Sequence, residues 1–473
     1  MPNSPFELRQ IHHLNYAKFT IALTLRDKLL YNSPQMRGYR NRIADVLLAE
    51  KLSYMGAVLV QGAKWCGKTT TCEQLAQSTF YLGDLEHHEE NVTLAKVNPK
   101  AVLSGAAPHL IDEWQEVPSL WDAVRFAVDH QKGRGQYILT GSAVPPESDS
   151  EERADKRVVR HTGTGRIARL TMRPMTLWES DDAKGEVSFA DLFAGRDVVG
   201  AKSNLSFDDV AELTCRGGWP GTLGLKGRAA RGPAKEYFEA ICESDISRVD
   251  STLRDPERVR RLMRSLARLQ GTQSSAAVIK ADMEANDSEG LTENTVYSYL
   301  KAMKRIFVTD DLLAWCPNLR CKTPLRTTET RYFTDPSIAT AALGIGPGDL
   351  ASDTKTFGLL FETLVIRDLR TYAEELDGRI YHYLDKSGLE CDAVMHLANG
   401  SYGLIEIKLG GDDLIRKGVA TLNALADKID TTRMKRPSFK MVLTAHGDFT
   451  YPYGDTGVLV CPIGCLKGSG LTI

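Results

Sequence analysis

The sequence predicts an α/β protein built in three modules. Three observations predict it: short apolar runs alternating with helical spacing up to about residue 142, a mainly helical stretch from 254 to 333, and a second strand-bearing pattern from 357 onward. The 473 residues are 42% hydrophobic and 25% charged, enough apolar material for more than one core, since single cores rarely grow past roughly 250–300 residues. Lys+Arg 59 against Asp+Glu 61 leaves a net charge of −2, so no whole-chain field draws the protein to DNA or to an anionic membrane. Any nucleic-acid surface must be a local patch. The nine cysteines are odd in number and none sits at CxxC spacing, which excludes a zinc ribbon and fits a reducing compartment. The first thirty residues lack the apolar core of a secretory signal, and no later run reaches the ~18 apolar residues of a membrane span. The expectation is a cytoplasmic protein with no membrane partner.

In chain order, residues 1–36 read as an N-terminal extension and 37–215 as the first α/β module. Within it "NRIADVLLAEKL" (41–52) has helical spacing, and "GAVLVQG" is an apolar, β-rich run ended by glycine. Further strands are expected at "STFYLGD" (78–84), "PHLIDE" (108–113) and "GQYILTGS" (135–142), an alternation that suggests a parallel sheet covered by helices. "PPESDSEERADKR" (145–157) has no periodicity and reads as an exposed loop. The Gly/Pro-dense "CRGGWPGTLGLKGRAARGP" (215–233) marks a boundary to a helical module, 216–335, and the last module spans 336–473. There "FGLLFETLVIRDLRTYAEEL" is a helix, followed by "RIYHYL", "ECDAVMHL", "YGLIEIKL" and "FKMVLTA" as strands.

The sharpest local signal is "GAKWCGKT", residues Gly62, Ala63, Lys64, Trp65, Cys66, Gly67, Lys68 and Thr69, followed by Thr70. It fits G-x-x-x-x-G-K-[ST] directly after an apolar strand, the context in which backbone N–H groups and a helix start cradle phosphates. In that geometry Lys68 reaches the β/γ-phosphates of ATP and Thr69 ligates Mg²⁺. "HLIDE" ends a second apolar strand in Asp112, which would hold the Mg²⁺ shell, and Glu113, which would polarise the attacking water. Thr140, at the end of "ILTGS", is placed to sense the γ-phosphate. Arg166 and Arg169 are candidates for stabilising transition-state charge, in cis or from a neighbouring subunit of a homo-oligomer.

The order "GAKWCGKTTT", "HLIDEWQEVPSLWDAVRFAVD", "YILTGSA", "GRIARLTMRPMTLWE" and "GGWP" resembles bacterial and archaeal AAA-type ATPases that carry a C-terminal domain of unknown function. The resemblance covers residues from about 36 to 430. It implies a role for the Gly-Arg element that contains Arg166, and adenine contact near Tyr39, Arg40 and Ile43. Lys64 stands where an arginine is expected; it keeps the charge and loses the planar fork.

Residues 254–333 hold 14 Lys/Arg and 10 Asp/Glu, a net of 14 − 10 = +4. Helices at about 257–269, 275–285 and 292–305, then "FVTDDLLAW" and "TRYFTD" as wing strands, fit a winged-helix module, which the resemblance also implies. Thr292, Asn294, Tyr297, Ser298, Lys301 and Lys304 would lie on or beside its recognition helix, against nucleic acid, DNA above all, or against a partner protein.

In the last module, strand residues Glu406 and Lys408 project to one face, and Asp392 lies on a neighbouring strand. Asp392 and Glu406 would share Mg²⁺, Lys408 would position a metal-bound hydroxide, and Glu362 on the preceding helix would add a third carboxylate. This order of helix Glu, strand Asp and Glu-x-Lys resembles the restriction-endonuclease-like PD-(D/E)xK nucleases. That resemblance implies a basic residue near "YHYLDK", where Leu384, Asp385 and Lys386 stand; Arg416 and Lys417 on the following helix are available to phosphates. Two functions are therefore expected to compete: an ATP-driven machine whose tail binds and cleaves DNA with Mg²⁺, and a nucleotide-switched regulator whose nuclease-like domain is inactive.

Overall fold

The computed structural model describes residues 38–143, 163–248, 254–284, 292–317 and 328–469. The expected N-terminal extension and the charged loop 145–157 lie outside the described residues. Backbone contacts divide the chain into two compact units. One holds the described residues up to Gly62 together with Gly67–Met172; the other holds Ala63–Cys66 and the described residues from Arg173 onward. The second unit thus takes in residues 173–215, which the Gly/Pro-based reading had grouped with the first module.

The first unit is built on a parallel sheet of five strands: β1 (Ala57–Gln61), β2 (Ser78–Tyr81), β3 (His109–Asp112), β4 (Tyr137–Gly141) and β5 (Ile167–Thr171), in the order β2-β3-β4-β1-β5. β3 and β4 are buried along their whole length because helices cover both faces, which is why they read as unbroken apolar runs. β5 escaped the sequence reading because it is an edge strand that carries the exposed Arg169. The core joins Leu59, Ile111 and Leu139 to Trp114 and Trp121 of the segment after β3. The helix Ile43–Tyr54 precedes β1, and the short helix Lys68–Glu73 follows it after a glycine-rich loop.

In the second unit β6 (Val187–Ser188) comes first, and the sheet of the tail follows: β7 (Gly378–Leu384), β8 (Glu390–Leu397), β9 (Tyr402–Lys408), β10 (Phe439–Thr444), β11 (Tyr451–Pro452) and β12 (Leu459–Pro462). Its order is β11-β12-β10-β9-β8-β7, while β13 (Leu466–Lys467) pairs in parallel with β6. β7, β8 and β9 form an antiparallel meander. The helix Asp412–Lys428 provides the crossover that a parallel β9–β10 pair requires. The long helix Thr354–Glu375 precedes β7 and is buried on every side from Thr363 to Leu369.

The middle segment contains the three expected helices, Pro256–Arg268, Ala276–Glu284 and Glu293–Arg305. Thr292 caps the third, accepting from the Thr295 N–H at 3.1 Å. Its buried face is Val296, Tyr299, Ala302 and Met303, which leaves Asn294, Tyr297, Ser298, Lys301 and Lys304 exposed. The expected wing strands form only isolated bridges, Thr309 with Phe333 and Leu312 with Thr330.

Candidate functional sites

In the first unit the loop after β1 is closed by Gly67 at φ 98°, ψ 18°, a left-handed conformation open to a residue without Cβ. Lys68 is 5% exposed and its Nζ donates to the Gly62 carbonyl at 3.1 Å, so the ammonium curls back over the loop's own backbone. Thr69 Oγ1 donates to Asp112 Oδ1 at 2.7 Å, and Thr140 Oγ1 donates to the same oxygen at 2.5 Å. Three residues distant in sequence therefore meet at the ends of β1, β3 and β4. Parallel strands bring them together, since parallel neighbours place their C-terminal ends at one edge. Glu113 follows directly, with its N–H donating to Thr140 Oγ1 at 3.1 Å. Thr70 is exposed on the far side of the turn.

Tyr39 donates to Asp45 Oδ1 at 2.6 Å and its hydroxyl lies 2.9 Å from Thr71 Oγ1, so it is anchored to the helix that follows the loop. Burial and the neighbouring Asp45 push its pKa well up. Ile43 is buried in the same segment.

Arg166 requires a correction. The register pairs Ile167 with Ala57 and Thr171 with Gln61, so Arg166 stands at the end of the sheet where β1 begins, and the phosphate loop follows where β1 ends. The five residues of β1 intervene, roughly 20 Å along the strand. There Arg166 donates to Asp129 Oδ1 at 2.8 Å, and a phosphate-sensing role in cis fails. Arg169 is in mid-strand, its guanidinium 5.7 Å from the Trp121 ring.

The loop's middle, Ala63–Cys66, groups with the second unit, where Lys64 Nζ lies 2.6 Å from Asp245 Oδ1 and Trp65 packs 5.6 Å from the Tyr237 ring. Trp65 holds a left-handed φ of 65°.

The second candidate site lies on β8 and β9. Ala393 pairs with Ile405, so the next step along the antiparallel ladder sets Asp392 opposite Glu406, with both side chains on one face. Lys408 shares that face, two residues on. Its Nζ lies 2.7 Å from Asp392 Oδ2 and 2.7 Å from Glu406 Oε2, while the Ile407 N–H donates to Asp392 Oδ2 at 2.7 Å. Burial, and then the Asp392 charge, push Glu406 up to about 8. Burial alone would lower the Lys408 ammonium, but the two carboxylates more than reverse it and hold the proton on. Glu406 Oε1 is buried without a hydrogen-bond partner.

Glu362 is engaged elsewhere: the Tyr332 hydroxyl donates to its Oε1, and burial together with Asp392 drives its pKa well above the usual carboxylate range. Among the described residues no group of three or more His, Cys, Asp or Glu side chains is placed to hold a metal ion, so Glu362 does not complete the expected three-carboxylate centre. The basic residue expected near 384–386 is supplied from the following helix: Lys428 donates to the buried Asp385, which also accepts from Ser387 and Leu389 N–H groups at 2.7 and 3.2 Å. Arg416 is paired with Asp413 on the surface.

Sequence reasoning missed Ser142, Gln115 and Tyr332, all of which bind candidate acids. Ser142 was within reach of it, since it stands two residues after Thr140, directly beyond the end of β4.

Comparison with known proteins finds three matching segments. Residues 55–180 match the AAA domain family, 207–349 match a domain of unknown function (DUF8612), and 357–466 match another, DUF4143. With the strand, glycine loop and Thr69–Asp112–Thr140 constellation, the first unit is an AAA-type, nucleotide-binding ATPase domain. Uncharacterized proteins of Mycobacterium bovis and Mycobacterium tuberculosis are each 23% identical over 425 residues, covering 89% of this chain and 83% of the relative. Among solved structures, the Walker-type ATPase PABY2304 of Pyrococcus abyssi is 15% identical with a TM-score of 0.40, covering 67% of this chain and 99% of its own. The Aeropyrum pernix ORC1 protein in complex with DNA is 12% identical with a TM-score of 0.21, covering 66% of this chain and 94% of its own. Similarity at that level assigns neither a fold nor a ligand here. No helix among the described residues is long and apolar enough to cross a membrane.

Proposed function

We infer that the chain is an ATP hydrolase whose nucleotide state governs a binding surface in its second unit. The observation that supports hydrolysis most directly is the pair of hydroxyls, Thr69 and Thr140, converging on Asp112 Oδ1 at 2.7 and 2.5 Å beneath the Lys68 loop. Hard oxygen donors of this kind suit Mg²⁺, and Thr69 and Asp112 are the residues that would hold it. Bound there, the ion would supply neutralising charge to the β- and γ-phosphates. Lys68 would leave the Gly62 carbonyl for phosphate oxygen, Thr140 would hold Asp112 in place, and Glu113 would take the proton of the attacking water. Steady-state phosphate release from ATP is the test. Rates of Lys68→Ala and Glu113→Gln equal to that of the native chain would sink the reading.

For the second unit, the reading favoured is a nuclease-like fold that binds without cutting. Lys408 already neutralises Asp392 and Glu406, and Glu362 is tied to Tyr332. The middle segment would act as a winged helix, with Asn294, Tyr297, Ser298, Lys301 and Lys304 facing DNA or a protein. Contacts to phosphates would make DNA affinity fall with salt, and Lys301→Ala with Lys304→Ala would lower the salt slope by about 2.

One observation favours the second reading, metal-dependent cleavage. Glu406 Oε1 is buried and unpartnered, the state of a ligand awaiting a cation. Nicking of DNA in Mn²⁺ by the native chain, lost in Asp392→Ala and Glu406→Ala, would establish it. No nicking of duplex, single-stranded or RNA substrates would leave the binding reading standing.

A further inference from the structure

A triangle of polar side chains at the end of β4 has no place in the reading above. Glu113 has φ 55° and ψ 44°, the left-handed region that a residue with a Cβ seldom adopts. Such a conformation persists where its surroundings over-determine it, and it recurs at functional sites. Here three contacts fix it. The Glu113 N–H donates to Thr140 Oγ1 at 3.1 Å, Ser142 Oγ donates to Glu113 Oε2 at 3.2 Å, and Gln115 Nε2 donates to the same Oε2. Gln115 Nε2 also lies 3.4 Å from Ser142 Oγ, which closes the triangle. Ser142 is 7% exposed. Gln115 packs over Gly141, where a Cβ would stand 3.0 Å from Gln115 Oε1 and 3.0 Å from Trp114 Nε1. Thr140 lies in β4 and Ser142 follows its last residue, so this one strand end holds Asp112 by one hydroxyl and Glu113 by the next.

We propose that Ser142 and Gln115 are positioning residues for ATP hydrolysis, fixing one carboxylate oxygen of Glu113 so that the other meets the attacking water. The proposal rests on the reading of Glu113 as the general base. In the step it serves, the water oxygen bonds to the γ-phosphorus and the bond to the β–γ bridging oxygen breaks. ADP leaves with that electron pair, and the water proton passes to Glu113 Oε1. Both donors land on Oε2, so neither competes for the oxygen that receives the proton.

The experiment is steady-state ATP hydrolysis by the full chain as a function of pH, with ADP binding by calorimetry as a check on folding. Ser142→Ala and Gln115→Ala are expected to lower kcat by about 10-fold while the KM for ATP stays within about 2-fold, since a misplaced base weakens the chemical step and not binding. Ser142→Thr, which keeps the hydroxyl, restores most of the rate. Glu113→Gln is expected to cost about 100-fold or more. A dead Glu113→Gln with native rates and profiles in both the Ser142 and Gln115 variants overturns this inference and leaves Glu113 as base. Parallel loss of ADP binding and kcat in Ser142→Ala also overturns it, because the serine would then be structural. A native rate in Glu113→Gln overturns the underlying reading and this proposal with it.

Discussion

In the first unit Lys68 rests on a backbone carbonyl at 3.1 Å and Asp112 takes its bonds from two hydroxyls; in the second, Lys408 lies 2.7 Å from each of two carboxylates. Both sites combine a lysine with acids on strands: Lys68 is buried, while Lys408 is half-buried. They differ in how the charge is balanced. A carbonyl is an uncharged partner for an ammonium, so phosphate would offer the first lysine a stronger one. The second lysine already stands between the groups that would otherwise attract a metal ion, and removing it would leave buried anions uncompensated. The lesson is that the same residue types make a receptive site or a closed one according to what each lysine has for a neighbour.

Breaking the second arrangement should have the largest effect. Lys408→Met leaves Asp392 and Glu406 without their cation, and urea unfolding should show a loss of about 3–5 kcal/mol, the range for halving a buried pair. A loss near zero would mean that the cluster is protonated or hydrated and the contrast is false. Next comes Lys68→Ala, which should slow ATP turnover by about 100-fold, or about 2.7 kcal/mol, with little change in urea midpoint, because a lysine resting on a carbonyl adds little to stability. Thr140→Val should follow, at about 10-fold in kcat, since Asp112 keeps its bond from Thr69 and loses the other.

The smallest effect concerns Asp385, a carboxylate of the second unit fully answered by its own donors. Burial would raise its pKa, but Lys428, Ser387 and Leu389 reverse this and hold it below the usual carboxylate range. A carboxylate with a depressed folded pKa stabilises the protein above its unfolded value near 3.9 and loses that contribution as pH falls through the folded one. Asp385→Asn should therefore lower the Tm by about 2–4 °C at pH 7, and the gap should close below about pH 4. A gap that stays constant down to pH 2 would show that the ionised form contributes nothing.

Much of the first unit was legible because parallel strands announce themselves. "AVLV", "HLID" and "YILTG" are buried on both faces, and candidate residues stand at or just beyond their C-terminal ends. Asp112 and Thr140 could be named from such ends, and Lys68 and Thr69 from the G-x-x-x-x-G-K-[ST] pattern that follows the first strand. What the sequence hid was the set of contacts among segments that no local pattern links. Gln115 and Ser142 reach Glu113 from the turn after it and from the residue that follows β4, 29 positions away in the case of Ser142. Tyr332 reaches Glu362 from between two isolated bridges, those of Arg331 and Phe333, in a segment with no strand. The cis role expected of Arg166 was illegible for another reason. Its residue type suggested phosphate, but only the pairing of β1 with β5 tells which end of the sheet it occupies. In the tail, the alternation of β8 and β9 placed Asp392, Glu406 and Lys408 on one face, and it could not reveal that Lys408 would close the gap between the acids.

Of the six tryptophans, Trp114, Trp121, Trp219 and Trp315 are buried and Trp178 is half-buried, while Trp65 is 51% exposed in the glycine loop itself. A water-soluble collisional quencher such as iodide or acrylamide will therefore dim mainly the emission of that one indole. Whatever settles into the loop will alter how easily the quencher arrives. The chain thus carries its own optical gauge of loop occupancy, readable without a label and before any turnover takes place.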